Sequence, residues 1–169
     1  KEDKGRNNKK VKPLPPIKEE EIPFAIPENW VWCRLGDVTK SISTGPFGTM
    51  LHKSDYVSNG IPLVNPMNIV NGRIVASKKM MVNEKTKLRL KSYILKAGDV
   101  VIGRRGEMGR CAVVTEDENG WICGTGSFFL KLHINIYRPF FIKILSSDFA
   151  KRILLGASVG ATMNNLNHR

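Results

Sequence analysis

The stretch GDVVIGRRGEMGRCAVV, residues 98–114, decides the reading of the fold. Val100 to Ile102 and Cys111 to Val114 are short β-branched and apolar runs, which read as two strands. Gly103 to Arg110 then forms a hairpin loop of eight residues, longer than the usual two to five and of a length more often functional. Gly103, Gly106 and Gly109, spaced by three, permit backbone angles closed to other residues and let the chain approach another molecule. Arg104, Arg105 and Arg110 supply forked donors that fit phosphate oxygens or the O6/N7 edge of guanine. Pairing with Glu107 or Asp99 is the bland alternative, but three arginines against two acids leave a donor over.

Outward from this loop, the chain reads as strands joined by tight turns. NIVNGRIV, residues 68–75, places Asn71-Gly72 between two β-branched runs, the strongest short hairpin signal. VVTEDENGWIC, residues 113–123, repeats the device less tightly with Asn119-Gly120. VNEKTKLRL, residues 82–90, predicts a short helix capped by Asn83. A last strand is expected near SFFLKLH, residues 127–133. Residues 138–155 then place Phe141, Leu145, Phe149 and Ile153 at helical spacing, a core-facing stripe with Gly156 as a natural stop. The fold class is therefore α+β and strand-rich, one domain with several hairpins and a C-terminal helix. With 41% apolar content, 169 residues can bury one good core.

Residues 1–21 mix charges of both signs with PLPP and read as a semi-rigid linker. From IPFAIPENWVWCRLGDV, residues 22–38, the tryptophans, Leu35 and Val38 announce the core. The chain starts at a lysine and ends mid-pattern at NNLNHR, and reads as a piece of a longer protein. Cys33, Cys111 and Cys123 lack C-x-x-C spacing, which argues against a disulfide framework or structural zinc and for reduced, mostly buried thiols in a cytoplasmic protein. No apolar run reaches the length needed to span a bilayer.

The chain carries +12, of which residues 22–169 hold +10. From Arg73 to Arg110 there are 11 basic and 3 acidic residues, so most of the excess lies around the opening loop. Such a patch suits a polyanion. Phosphate neutralisation supplies affinity, whereas Asn, Ser, Thr and Arg on loops read base edges. A second polar loop, SISTGPFGTMLHKSDY (41–56), has residues for the latter task. Candidate nucleic-acid contacts are Ser43, Thr44, Lys53, Asn68, Arg73, Lys78, Lys79, Arg104, Arg105 and Arg110.

A reaction centre is not evident. GRRGEMGR lies between strands rather than opening a helix, unlike a dinucleotide fingerprint or a P-loop. Asp99 and Glu107 lack the lysine that a metal-dependent nuclease would place beside them. NPMN, residues 65–68, lacks the second proline and the aromatic of a DNA amino-methyltransferase motif. His52, His133 and His168 have no ligand or triad spacing, and His133 reads as a structural strand residue. No catalytic residue, cofactor or metal site is assigned. Two other readings stay open: a nucleic-acid-binding module without sequence preference, and a docking domain for an acidic protein partner. Steep salt dependence on nucleic acid excludes the docking domain, and sequence preference excludes the non-specific module.

In order and spacing, IPENWVWCRLGDV, GPFG, GIPLVNPMNIVNG, LKAGDVVIGRRGEMGR, a Phe-rich strand, a helix and GATMNNLN together resemble one target recognition domain of a type I restriction-modification specificity subunit, over roughly residues 22–169. The resemblance implies a mixed α/β domain that reads one half of a bipartite double-stranded DNA target. It implies a prokaryotic, non-catalytic subunit partnered by separate methylation and restriction subunits, and a homodimer where the natural subunit is half-length. It makes residues 22–160 the recognition domain and 161–169, ending in NNLNHR, the truncated start of a spacer helix capped by Asn164 or Asn165. It also makes the GDVV motif framework, with Arg104 and Arg105 varying with target.

Overall fold

The computed structural model describes residues 14–104 and 109–156. Arg105, Glu107, His168 and the expected spacer-helix start at 161–169 lie outside the described residues. The chain divides into two compact units, residues 1–38 and 39–169.

In the first unit, the short helix α1 (Leu35–Val38) follows an arginine that fastens the proline tract. Arg34 donates to the Pro15 carbonyl at 2.7 Å and the Pro16 carbonyl at 3.1 Å, and grips both Glu21 oxygens at 3.1 and 2.9 Å. This forked pair holds the Glu21 carboxyl below its ordinary range. Residues 14–21, expected as a spacer, are thus tied down within their own unit. Of the residues that announced a core, Trp30 is 53% exposed and Leu35 39%, Trp32 and Val38 are half-buried, and none belongs to the buried apolar set, which runs from Leu51 to Ala150. Cys33 is exposed, whereas Cys111 and Cys123, which belong to the second unit, are buried.

The second unit is mixed α+β. Its strands are β1 (Thr39–Thr44), β2 (Tyr56–Val57), β3 (Ile61–Val64), β4 (Ile69–Val70), β5 (Arg73–Ile74), β6 (Met81–Val82), β7 (Val100–Gly103), β8 (Cys111–Val113), β9 (Ile122–Cys123) and β10 (Ser127–Leu132). The helices are α2 (Glu84–Arg89), α3 (Arg138–Leu145) and α4 (Asp148–Gly156). An antiparallel sheet runs β1-β10-β7-β8, a second runs β2-β6-β3-β9 with β3 and β9 parallel, and β4 pairs with β5. Successive residues of a strand face opposite ways, and β3 and β9 use both faces. Val64 and Cys123 enter a core with Val101, Ala112 and Phe129. Leu63 and Ile122 enter another with Leu51, Val82 and Leu90. A strand covered on both sides explains their unbroken apolar sequence.

Local signals explain several elements. Asn71 and Gly72 have φ of 51° and 73°, the two left-handed residues of a tight hairpin, with Val70 opposite Arg73. Asn83 caps α2 through its side-chain oxygen, which accepts from the Thr86 N–H at 2.9 Å. The Asn119-Gly120 turn does not make a hairpin: β8 pairs with β7, and β9 lies parallel to β3.

The expected 138–155 helix is two helices. Ser147 ends the first and starts the second: its hydroxyl donates to the Ile144 carbonyl at 2.6 Å and accepts from the Ala150 N–H at 3.2 Å. The stripe divides accordingly, with Phe141 and Leu145 buried, Phe149 half-buried and Ile153 55% exposed. Among the described residues no helix is long and apolar enough to cross a membrane.

Candidate nucleic-acid interface

Strand register brings the two sequence-selected loops to one end of the first sheet. Thr44 at the end of β1 lies opposite Phe128, Gly103 at the end of β7 opposite Ser127, and Cys111 at the start of β8 opposite Ile102. The chain beyond these strands stays paired for one further step. The Gly45 N–H donates to the Ser127 carbonyl at 2.9 Å, Arg104 N–H to the Gly126 carbonyl at 3.0 Å, and Gly103 N–H to the Arg110 carbonyl at 2.9 Å. The second sheet delivers its ends here too: the Gly124 N–H donates to the Val64 carbonyl at 2.9 Å, and Gly126 N–H to Asn65 Oδ1 at 3.3 Å.

The node works because it has little side-chain bulk. A Cβ on Gly45 would overlap the Gly124 carbonyl, and one on Gly124 would overlap the Asn65 amide. Pro66 stacks against the same node, 2.9 Å from where a Cβ on Gly126 would stand and 3.1 Å from one on Gly103. GPFG, NP and GTG therefore lock together, and the turns that leave them start from fixed points. Phe47 and Met67 lie one or two residues beyond this lock and are 59% and 61% exposed. Sequence reading passed over both. An exposed large apolar residue on a fixed turn is the signal, and exposure is not visible in sequence.

The predicted contact residues fall in different places. Ser43 and Thr44 are half-buried on β1, opposite Phe129 and Phe128, so the first part of the expected 41–56 loop is strand. Arg73 is exposed on β5 beside the hairpin turn. Arg110 is half-buried, its guanidinium 3.5 Å from the Ile69 carbonyl. Lys53 is exposed in the turn before β2, and Lys78 and Lys79 are exposed between β5 and β6. Two residues move from the surface to the interior. Asn68 is 4% exposed, its oxygen accepting from the Asn65 N–H at 3.0 Å and its amide donating to the Val75 carbonyl at 2.8 Å. With both ends of its side chain engaged, it is a brace for the turn beneath Met67. Arg104 is 6% exposed, and its charge acts on the Cys123 thiol, which burial nonetheless pushes strongly upward.

Gly109, with φ of 85°, takes the left-handed conformation expected of the loop glycines, whereas Gly103 matters for space. Asp99 is 6% exposed and accepts from the Lys96 N–H at 3.0 Å; burial raises its pKa against the nearby charges of Lys131, Lys96 and Arg138. His133 is exposed just beyond β10, not a strand residue. Among the described residues no three His, Cys, Asp or Glu side chains come together as a metal site.

Comparison with known proteins accounts for this architecture. The family model described as "Type I restriction modification DNA specificity domain" matches residues 27–169. The EcoAI type I restriction enzyme specificity subunit of Escherichia coli is 39% identical over 97 residues, 56% of this chain and 15% of that protein. The EcoEI specificity subunit of Escherichia coli is 28% identical over 105 residues, 62% of this chain and 18% of that protein. The matches thus span under a fifth of those relatives.

Among solved structures, a chain from a study of complex assembly and conformational transition in the type I R-M system superposes with a TM-score of 0.59 at 19% identity, covering 86% of this chain and 33% of that one. The HsdS subunit from Thermoanaerobacter tengcongensis gives a TM-score of 0.54 at 20% identity, covering 73% and 29%. These two likenesses are of fold. The family match covers most of the chain, and from it the conclusion follows: this chain belongs to the type I restriction modification DNA specificity domain family.

Proposed function

We propose that this chain binds double-stranded DNA and reads one half of a bipartite target through the end of the first sheet where its loops converge. The observation that carries this reading is the glycine-and-proline node, which gives the turns at 45–48, 65–68 and 124–126, together with residues 103–104 and 109–110, a common rigid base. Sites built on rigid elements hold contacts in register, and base edges reward donors and apolar groups placed to within a fraction of an ångström. Arg73, Arg105 and Arg110 supply forked donors to phosphate or guanine, and Lys53, Lys78 and Lys79 a diffuse positive field. Phe47 and Met67 offer apolar contact to thymine methyl groups.

In this reading the chain is a non-catalytic cytoplasmic recognition module. Separate methylation and restriction subunits hold the active sites, and a homodimer forms where the natural subunit is half-length. The test is to incubate the whole chain with randomised DNA duplexes at moderate salt and sequence what it retains. Enrichment of a short motif supports the reading; retention without a motif would leave a basic surface that does not read sequence.

A further inference from the structure

Beside the base of the 103–110 loop lies a cleft of about 330 Å³, lined among others by Asn71, Gly72, Gly109, Arg110, Ser146 and Lys151. We propose that this cleft, between the β4–β5 hairpin and α4, seats a DNA backbone phosphate that Lys151 and Arg110 contact, fixing the register of the neighbouring reading turns. The proposal rests on the DNA-binding function above and adds a residue, Lys151, that lies outside the basic stretch in sequence but beside its end in space.

The lysine is held over the cleft by a close backbone approach. A Cβ on Gly109 would stand 2.6 Å from Lys151 Cγ and 3.1 Å from Cε, so the chain runs directly beneath the lysine stem. The Lys151 ammonium lies 3.8 Å from Asp148 Oδ1, and that carboxylate is 89% exposed. An exposed pair at such a distance is weak, so the ammonium is free to exchange a solvated carboxylate for a phosphate. The charge of Lys151 reaches the cleft wall: it acts on the Cys111 thiol, whose sulfur is 3.3 Å from the Ser146 hydroxyl. Opposite, the Arg110 guanidinium is drawn toward the hairpin by the Ile69 carbonyl at 3.5 Å. Among the described residues that line the cleft none is acidic. Two cations on separate elements, with polar groups between them and no acid among the described lining residues, suit one anion. On a face that reads DNA, that anion is the backbone phosphate, whose contacts position a protein without reading sequence.

The test uses the whole chain, a duplex enriched from the random pool and a shuffled duplex, with Kd measured from 50 to 200 mM salt. Removing one phosphate contact lowers the slope of log K against log salt by about one, and at 0.1 M salt that is about an eightfold loss. Lys151→Ala is expected to show this loss equally on both duplexes, and Lys151→Arg to retain affinity and slope. Unchanged affinity and slope in Lys151→Ala would overturn the proposal. So would a loss confined to the enriched duplex, which would make Lys151 a base reader. If the unaltered chain binds neither duplex, the DNA-binding function itself fails, and the phosphate site with it.

Discussion

Asn68 separates two accounts of the same sequence, because an asparagine beside a hairpin can read an adenine or brace a turn. In the structure it braces: its oxygen takes the Asn65 N–H, its amide the Val75 carbonyl, and only 4% of the residue is exposed. Asn68→Ala leaves both backbone groups without these partners and opens a gap under the turn. An unsatisfied buried group costs about 1–3 kcal/mol, and the half-buried Asn65 and more exposed Val75 recover part of that from water, so the sum is about 2 kcal/mol. For a domain of this size that lowers Tm by about 4–8 °C. Asn68→Asp should do at least as much harm, since it keeps the acceptor but sets a carboxylate oxygen against the Val75 carbonyl. Thermal melts of the two variants, followed by circular dichroism, measure this directly. If Asn68→Ala melts with the parent and loses DNA affinity instead, the side chain faces the ligand and the placement is refuted.

Three further outcomes follow from particular contacts. Phe47→Ala, at an exposed side chain, should leave Tm within about 1–2 °C but weaken binding to the preferred duplex by about 1–3 kcal/mol relative to a shuffled one; equal weakening on both would remove Phe47 from base reading. Ser147→Ala removes the cap between α3 and α4 and should cost about 0.5–2 kcal/mol in a urea melt, with Ser147→Asp recovering most of it; no change would mean that the cap contributes nothing. Asp55 accepts from the His52 N–H at 2.8 Å and pairs with Arg89 at 2.6 Å, and these hold its pKa below the ordinary 3.8. A lowered folded pKa stabilises above the unfolded value and is lost as pH falls through the folded one, so Asp55→Asn should flatten the stability curve below about pH 4. A parallel acid limb in the variant would show that Asp55 contributes nothing to it.

What the sequence revealed depended on the range of the interaction that decides each feature. Asn71-Gly72 and the Asn83 cap are settled within four residues, and both were legible. Ser147 was legible in principle, as a serine before an acid, but the apolar stripe of Phe141, Leu145, Phe149 and Ile153 continues in phase across it and hid the break. The Asn119-Gly120 turn misled because a turn does not choose its partner strands; β9 pairs parallel with β3, some 60 residues away, and only the shared cores select that. The long loop at 103–110 and the polar segment at 41–56 were both picked out singly. That they leave one end of one sheet follows from β10 lying between β1 and β7, which no local pattern encodes. Burial was the main loss. Asn68 and Arg104 have the chemistry of DNA contacts but lie inside, while Phe47 and Met67 have the chemistry of a core and lie outside.

Contact between DNA and the end of the first sheet, where the node holds the turns, is measurable residue by residue as backbone hydrogen exchange of the chain with and without its enriched duplex. New protection is expected at residues 44–47, 65–68, 109–111 and 124–127, with little change at β2 and β6. Protection confined to β2 and β6, with the node exchanging at its free rate, would contradict it.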